Sequence, residues 1–261
     1  MNIDDVISAV RRSNRAWWEQ VCESESLDFG VAYTVPEFPT LAEGNQLRDA
    51  WIADADPETV YQRAEAYYQE RGLVCRIWTP ASGQDVDPVD ALMARHGWVR
   101  SDLLAFGLVS WDAALPATER SADGDDAIRI LPARAMRRAY RALLAGSFDN
   151  DEPRIESGIA RLDDSNFDAV IAQVDGTPAG RIAYFEVGEI ARLADLHLVP
   201  GFEGRGIERE LIAHFLQIAR RLSPRHIVAC VPESDASGRG MLEANGFAVA
   251  GSLPRWLRNA E

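Results

Sequence analysis

The chain has 261 residues, 47% of them hydrophobic and 26% charged, a composition that excludes a disordered chain and leaves room for two modest domains or one large one. Its net charge of −14 speaks against nucleic acid or an anionic membrane as partner, because both are met by a basic face, and all 27 basic residues are arginine. An acidic surface serves solubility and also suits a cationic substrate such as an amine. No apolar run approaches a membrane span, and MNIDDVISAVRR carries acids where a secretory leader needs positive charge. Cys22, Cys75 and Cys230 form no CxxC pair and read as reduced thiols, with no metal site. These features predict a soluble cytoplasmic protein.

Helical spacing of Val6, Ile7, Val10, Ala16, Trp17 and Val21 predicts a first helix over 4–23. FGVAYTV, a Pro-rich turn and LRDAWIA follow, then a helix from Pro57 to Arg71. LVCRIWT reads as a buried strand, DALMARHG as a short helix, and WVRSDLLAFGLVSW as a long strand or hairpin. A stretch rich in Ala, Pro, Ser, Gly and Asp around 113–127 separates two halves. It divides the chain into a domain at 1–115, a linker at 116–126 and a domain at 127–261.

In the second half AIRIL is a strand and Pro132 to Ala145 a helix. FDAVIAQVDG and TPAGRIAYFEVG form a hairpin turning at Asp175-Gly176, and EIARLADLHLV is a third strand. A helix over 204–222 presents Ile207, Leu211, Ile212, Phe215, Ile218, Ala219 and Leu222 as one stripe. RHIVACV, a helix to Asn245 and a last strand GFAVAGSLPRWL close the chain. The alternation of strands and helices predicts an α/β (α+β) layer fold. Both halves end alike, ARHGWVRSDLLAFGLV in one and EANGFAVAGSLPRWL in the other, which fits a tandem of two related units with the first diverged.

The segment 193–211, LADLHLVPGFEGRGIEREL, is a strand, a loop with glycines and a helix start. Glycines let backbone N–H groups converge on an anion, and the helix N-terminus adds roughly half a positive charge behind them. This arrangement makes a phosphate site without lysine, although a turn before a helix also has this look. Leu198-Val199-Pro200-Gly201-Phe202-Glu203-Gly204-Arg205-Gly206-Ile207-Glu208 resembles the V-x-P-x-[YF]-R-G-x-G-[IL]-G/A loop of the GCN5-related N-acetyltransferase (GNAT) superfamily. Met241-Leu242-Glu243-Ala244-Asn245-Gly246-Phe247 resembles its L-Y-E-K-x-G-F stretch. The resemblance covers about 127–258. The first half, with VPEFPTLAEGNQL, is similar to the degenerate first unit of two-domain bacterial members and has no Gly-rich loop of its own.

The resemblance implies tandem GNAT-like units, each a mixed, mostly antiparallel twisted sheet flanked by helices. It implies transfer of an acyl group from acetyl-CoA to the amine of a small molecule or peptide, by direct attack in a ternary complex, in a monomer or homodimer with no metal. Pyrophosphate would lie on the amides of Gly204, Arg205, Gly206 and Ile207, and pantetheine along the splayed strand at Leu196, Leu198 and Val199. Arg205 would meet a phosphate or stand as an exposed loop cation. Glu203 and Glu208 depart from the family loop and fit either a weakened CoA site or a lost one, and Leu242 stands where relatives carry the Tyr that protonates the leaving thiolate. Asp235 stands where an Asn is usual. A non-catalytic binding or scaffold module is therefore the alternative to the enzyme.

For a general base, strict alternation predicts Leu193, Asp195, His197 and Val199 on one face and Ala194, Leu196 and Leu198 on the other. Asp195 and His197 then project together where an amine would arrive, and imidazole suits proton removal near neutrality. A His packed beside an Asp gives the same pattern. Cys230 reads as strand core, and Asp149, Asp151 and Glu152 either steer a cation or form a solvated acidic loop.

Overall fold

A computed structural model describes residues 2–52, 56–109 and 128–258; the boundary stretch at 113–127, with the linker at 116–126, lies outside the described residues. The first half contains α1 (Ile3–Glu19), β1 (Glu23–Leu27), β2 (Gly30–Thr34), β3 (Gln46–Ala50), α2 (Pro57–Gln69), β4 (Ile77–Pro80), α3 (Asp87–Arg95), β5 (Trp98–Arg100) and β6 (Leu103–Leu108). The second contains β7 (Ile128–Pro132), α4 (Arg137–Ser147), α5 (Glu152–Ala160), β8 (Phe167–Val174), β9 (Thr177–Val187), β10 (Ile190–Leu198), α6 (Ile207–Leu222), β11 (His226–Pro232), α7 (Ala236–Ala244), β12 (Phe247–Leu253) and β13 (Trp256–Arg258). Both sheets are mixed and mostly antiparallel, as expected.

The two sequence stretches read as single terminal strands are each broken in two, and the pieces lie in different sheets. The long run 98–108 splits at Ser101-Asp102 into β5 and β6, and the last run splits at Pro254-Arg255 into β12 and β13. Proline lacks an N–H for a ladder, which explains the second break. Among the described residues one sheet has the order β1-β2-β3-β4-β13-β5 and the other β12-β6-β11-β10-β9-β8-β7. Each half thus contributes one strand to the other half's sheet. The residues group accordingly into a larger unit, 1–17 with 104–251, and a smaller unit, 18–103 with 252–261, where contiguous halves at 1–115 and 127–261 were expected.

In the smaller unit β13 pairs antiparallel with β4 (Trp256 opposite Trp78) and with β5 (Trp256 opposite Arg100). Trp78 and Trp256 are buried in a core with Tyr61, Tyr68, Leu92 and Met93. The Trp256 indole N–H donates to Asp90 Oδ1 at 2.8 Å, so its polar edge is satisfied. Arg258 pairs with Glu65 at 2.9 Å.

The larger unit places its sheet between two helical layers. Alternation along β8 sends Ala169 and Ile171 to the α4–α5 face and Val170 and Ala172 to the α6–α7 face, so the strand is apolar on both sides. The predicted stripe of α6 lies on that second face: Ile207, Leu211, Ile212, Phe215 and Ala219 are buried, while Leu222, at the end of the helix, is exposed. α1 adds Trp17 to the first face against Phe167 and Phe185, at ring-centroid distances of 5.7 and 6.2 Å.

Candidate active site

β9 and β10 pair antiparallel in register from Ile190 opposite Val187 to Ala194 opposite Ala183, and the register shifts before His197 opposite Arg181 and Leu198 opposite Gly180. Two residues, Asp195 and Leu196, therefore stand against one, a β-bulge. Asp195 has φ +49°, in the left-handed region that costs an L-residue about 1–2 kcal/mol. The expected faces change as a result. Leu193, Leu196 and Leu198 pack toward the α6 side, whereas His197, opposite Arg181, and Val199 belong to the α4 side. Leu193 does not share the face of Asp195 and His197, because the bulge resets the alternation between them.

Both candidate polar residues of this strand sit against Arg181. The Arg181 side chain is 1% exposed; its Nε donates to Asp195 Oδ2 at 2.8 Å and its Nη2 to Oδ1 at 2.7 Å. Nη1 donates to the Leu143 carbonyl at 3.0 Å and to Ser147 Oγ at 2.5 Å, both on α4. Asp195 is thus engaged in a two-point ion pair. Burial of the His197 imidazole pushes its pKa below the ordinary 6.5; Arg181 lowers it further and Asp195 partly opposes both. Burial, with the Asp195 charge beside it, holds the Tyr140 phenol on α4 far above its usual range. Sequence reading missed Arg181, whose signal was one arginine inside an otherwise apolar strand, AGRIAYF.

The sheet opens ahead of the bulge, on the other side of β10. β10 and β11 run parallel, and their pairing ends at Arg192 opposite Val228, although both strands continue, to Leu198 and Pro232. Close approach at the β9 edge requires Gly180: a Cβ there would come within 2.7 Å of the Leu198 side chain and 2.9 Å of the His197 carbonyl oxygen. Leu196, Leu198 and Val199 are half-buried along this edge.

The strand leads into the loop 199–206 and the N-terminus of α6. Gly204 and Gly206 have φ +73° and +76°, Gly206 caps the helix, and open space surrounds both Cα positions. The glycine requirement here is one of backbone conformation and not of packing. Gly204, Arg205 and Gly206 are exposed, and Ile207 is buried as the first core anchor of the helix. The Arg205 guanidinium lies 5.2 Å from the centre of the Phe202 ring, a cation–π contact that holds it beside the loop. Glu203 Oε2 accepts from the Gly201 N–H at 2.7 Å, so this acid is folded back on its own loop. Gly206→Ala is expected to weaken binding of an anionic ligand at this turn about tenfold, since the alanine must be held in the left-handed region on binding; isothermal titration would measure it.

The remaining candidates have local partners. Leu242 is fully buried in the core of the α6–α7 face. Asp235 caps α7, accepting from Gly238 N at 2.8 Å, and Asp151 caps α5. Glu152 and Glu156 both pair with Arg141. Cys230 is half-buried against Arg192 Nη2 at 3.4 Å. Among the described residues no group of three or more His, Cys, Asp or Glu is placed to hold a metal ion, and no helix is long and apolar enough to cross a membrane.

Comparison with known proteins agrees with this architecture. The fold matches that of a GCN5-related N-acetyltransferase from Kribbella flavida with a TM-score of 0.66 at 12% identity, covering 98% of this chain and 96% of that one. It also matches a conserved protein of unknown function from Staphylococcus epidermidis with a TM-score of 0.64 at 15% identity, covering 91% and 94%. No curated protein matches the sequence. Residues 134–247 match the model of the acetyltransferase (GNAT) family.

Proposed function

We propose that the larger unit is an N-acetyltransferase that uses acetyl-CoA and acetylates the amine of a small molecule or peptide, with direct attack of the amine on the thioester. The observation that carries this reading is the adjacency of two features on one strand. The exposed glycine turn at the α6 N-terminus supplies amides for a pyrophosphate, and the strand leading to it, which carries His197, separates from β11 after Arg192. Gly204, Arg205, Gly206 and Ile207 would hold the pyrophosphate, and Leu196, Leu198 and Val199 the pantetheine arm. When bound, acetyl-CoA supplies the activated acyl group.

His197 is the base in this reading, taking a proton from the incoming ammonium. Its neutral form is favoured by burial and by Arg181, which leaves the ring able to accept at neutral pH. Asp195 serves by orienting, since both its oxygens are engaged by Arg181. With Leu242 buried and apolar, this chain has no hydroxyl there to protonate the leaving thiolate, and the step relies on proximity and on solvent. The acidic surface favours a cationic acceptor.

Thermal unfolding across an acetyl-CoA titration, with CoA and inorganic pyrophosphate as controls, tests the reading. A ligand of the native state adds RT ln(1 + [L]/Kd), about 2.7 kcal/mol at a hundredfold excess over Kd, which a melt shows as degrees. A saturable rise supports the enzyme and justifies a screen of primary amines. No rise at millimolar acetyl-CoA in low salt supports the non-catalytic module instead. Glu203→Gln is expected to tighten acetyl-CoA binding roughly threefold to tenfold, with the gain shrinking as salt rises, because one like charge leaves the turn.

A further inference from the structure

The Arg181–Asp195 pair does more than neutralise two charges. Without a bulge, residues 194 and 197 would lie on opposite faces of β10, as alternation demands, and a one-residue slip of register exchanges faces. In the structure both are opposite residues of one β9 face, Ala194 with Ala183 and His197 with Arg181. The side on which His197 is presented is therefore decided at Asp195 and Leu196. Asp195 is held at φ +49° there, and what holds it is a guanidinium clamped at two points on its carboxylate and at two further points on the C-terminal turn of α4. Four of the five N–H groups of Arg181 are used in this way. Such a fork of donors fixes direction as well as charge, which a lysine does not do.

We propose that Arg181 is a positioning residue of this site: by clamping Asp195 to the end of α4 it maintains the β10 bulge and keeps His197 on the α4 face. The proposal rests on the reading of the site given above for its catalytic meaning, while the clamp itself is a matter of geometry. α4 continues directly into the turn at 149–150, where Asp149 and Asn150 also have positive φ, before Asp151 caps α5. The clamp therefore also fixes the helix that borders His197 on this face.

Two substitutions of the same residue separate this role from simple charge balance. Asp195→Gly and Asp195→Ala both remove the carboxylate, but only glycine takes φ +49° without a steric penalty. In Asp195→Gly the bulge is expected to persist, leaving His197 beside an unopposed Arg181. In Asp195→Ala the strand is expected to straighten and turn His197 away. The charged and titratable groups facing His197 are Arg181 on β9 and Asp195 on its own strand, with Tyr140 of α4 beside Asp195.

An NMR titration reads the difference without any substrate. The chain has 4 histidines, and His197→Gln assigns the resonance. The His197 imidazole is expected to titrate below its wild-type position in Asp195→Gly, and adding Arg181→Met to that variant raises it. In Asp195→Ala, adding Arg181→Met leaves it unmoved. Turnover of acetyl-CoA with the amine found in the screen is expected to be roughly tenfold or more higher in kcat for Asp195→Gly than for Asp195→Ala, as a displaced base requires. Should Asp195→Ala not fold, Arg181→Lys against Arg181→Met gives the same comparison: the lysine restores charge without restoring kcat. Identical His197 titrations in the Gly and Ala variants, or full kcat in Arg181→Lys, overturn the clamp. Failure of acetyl-CoA to raise the wild-type melting temperature overturns the assigned function and leaves the titration result standing.

Discussion

Truncation of the chain after Leu253 is expected to unfold the smaller unit, although everything removed lies at the far end of the sequence from most of it. β13 is an interior strand of that unit's sheet, between β4 and β5, and its loss leaves both neighbours with unpaired ladder groups facing a breached core. The single substitution Trp256→Ala is the milder form. Trp256 is 1% exposed, opposite Trp78 in the strand pairing, and its indole N–H is bonded to Asp90. Deleting such a side chain costs about 3–5 kcal/mol from lost transfer energy and the cavity left behind, and the Asp90 oxygen loses its donor. A unit of this size holds only about 5–15 kcal/mol in total, so the loss is a large share of it. Hydrogen exchange would locate the effect, with protection falling across β2, β3, β4 and β5. A denaturant curve for Trp256→Ala that overlays the wild type would show that β13 is not part of that core. Val249→Ala serves as the control, since that side chain is 37% exposed.

The same strand shows what sequence reading reaches and where it stops. Periodicity detects that GFAVAGSLPRWL is extended, and it detects the likeness to ARHGWVRSDLLAFGLV, because both depend on residues close in sequence. Which sheet a strand joins depends on partners far along the chain, and neither Ser101-Asp102 nor Pro254-Arg255 announces that the chain changes sheets there. β1, ESESL, went unseen for a different reason: it is an edge strand with four of five residues exposed, so it carries no apolar alternation. α5 was legible but unread, since Asp151 followed by Pro153 is a cap and a first-turn proline. At the site, the glycine turn and α6 were legible because backbone conformation at Gly204 and Gly206 restricts residue choice. The bulge was not, because a strand with one extra residue reads as an unbroken strand. Only the buried Arg181 opposite it explains why Asp195 holds its conformation.

Replacing His197 by glutamine is expected to lower kcat/KM by about 10²–10⁴, the range that a positioned acid–base group contributes, while acetyl-CoA still raises the melting temperature. The amine must lose a proton before or during attack, and among the side chains beside the strand opening His197 is the one poised to exchange a proton near neutrality. Asp195 has both oxygens committed to Arg181, and Tyr140 is held far too basic to act. The pH dependence follows with a definite sign. A base works in its deprotonated form, so the rate rises with pH through the His197 pKa. Burial and Arg181 place that pKa below 6.5, and the inflection therefore falls on the acid side of neutrality. Lowering the pH below this inflection protonates a half-buried imidazole beside a guanidinium, which the site disfavours twice, by desolvation and by like charge. His197→Gln abolishes this limb of the profile along with most of the rate. A variant that keeps the limb would assign the base to another group, and equal rates in the two proteins would leave the amine to be deprotonated in solution before it binds.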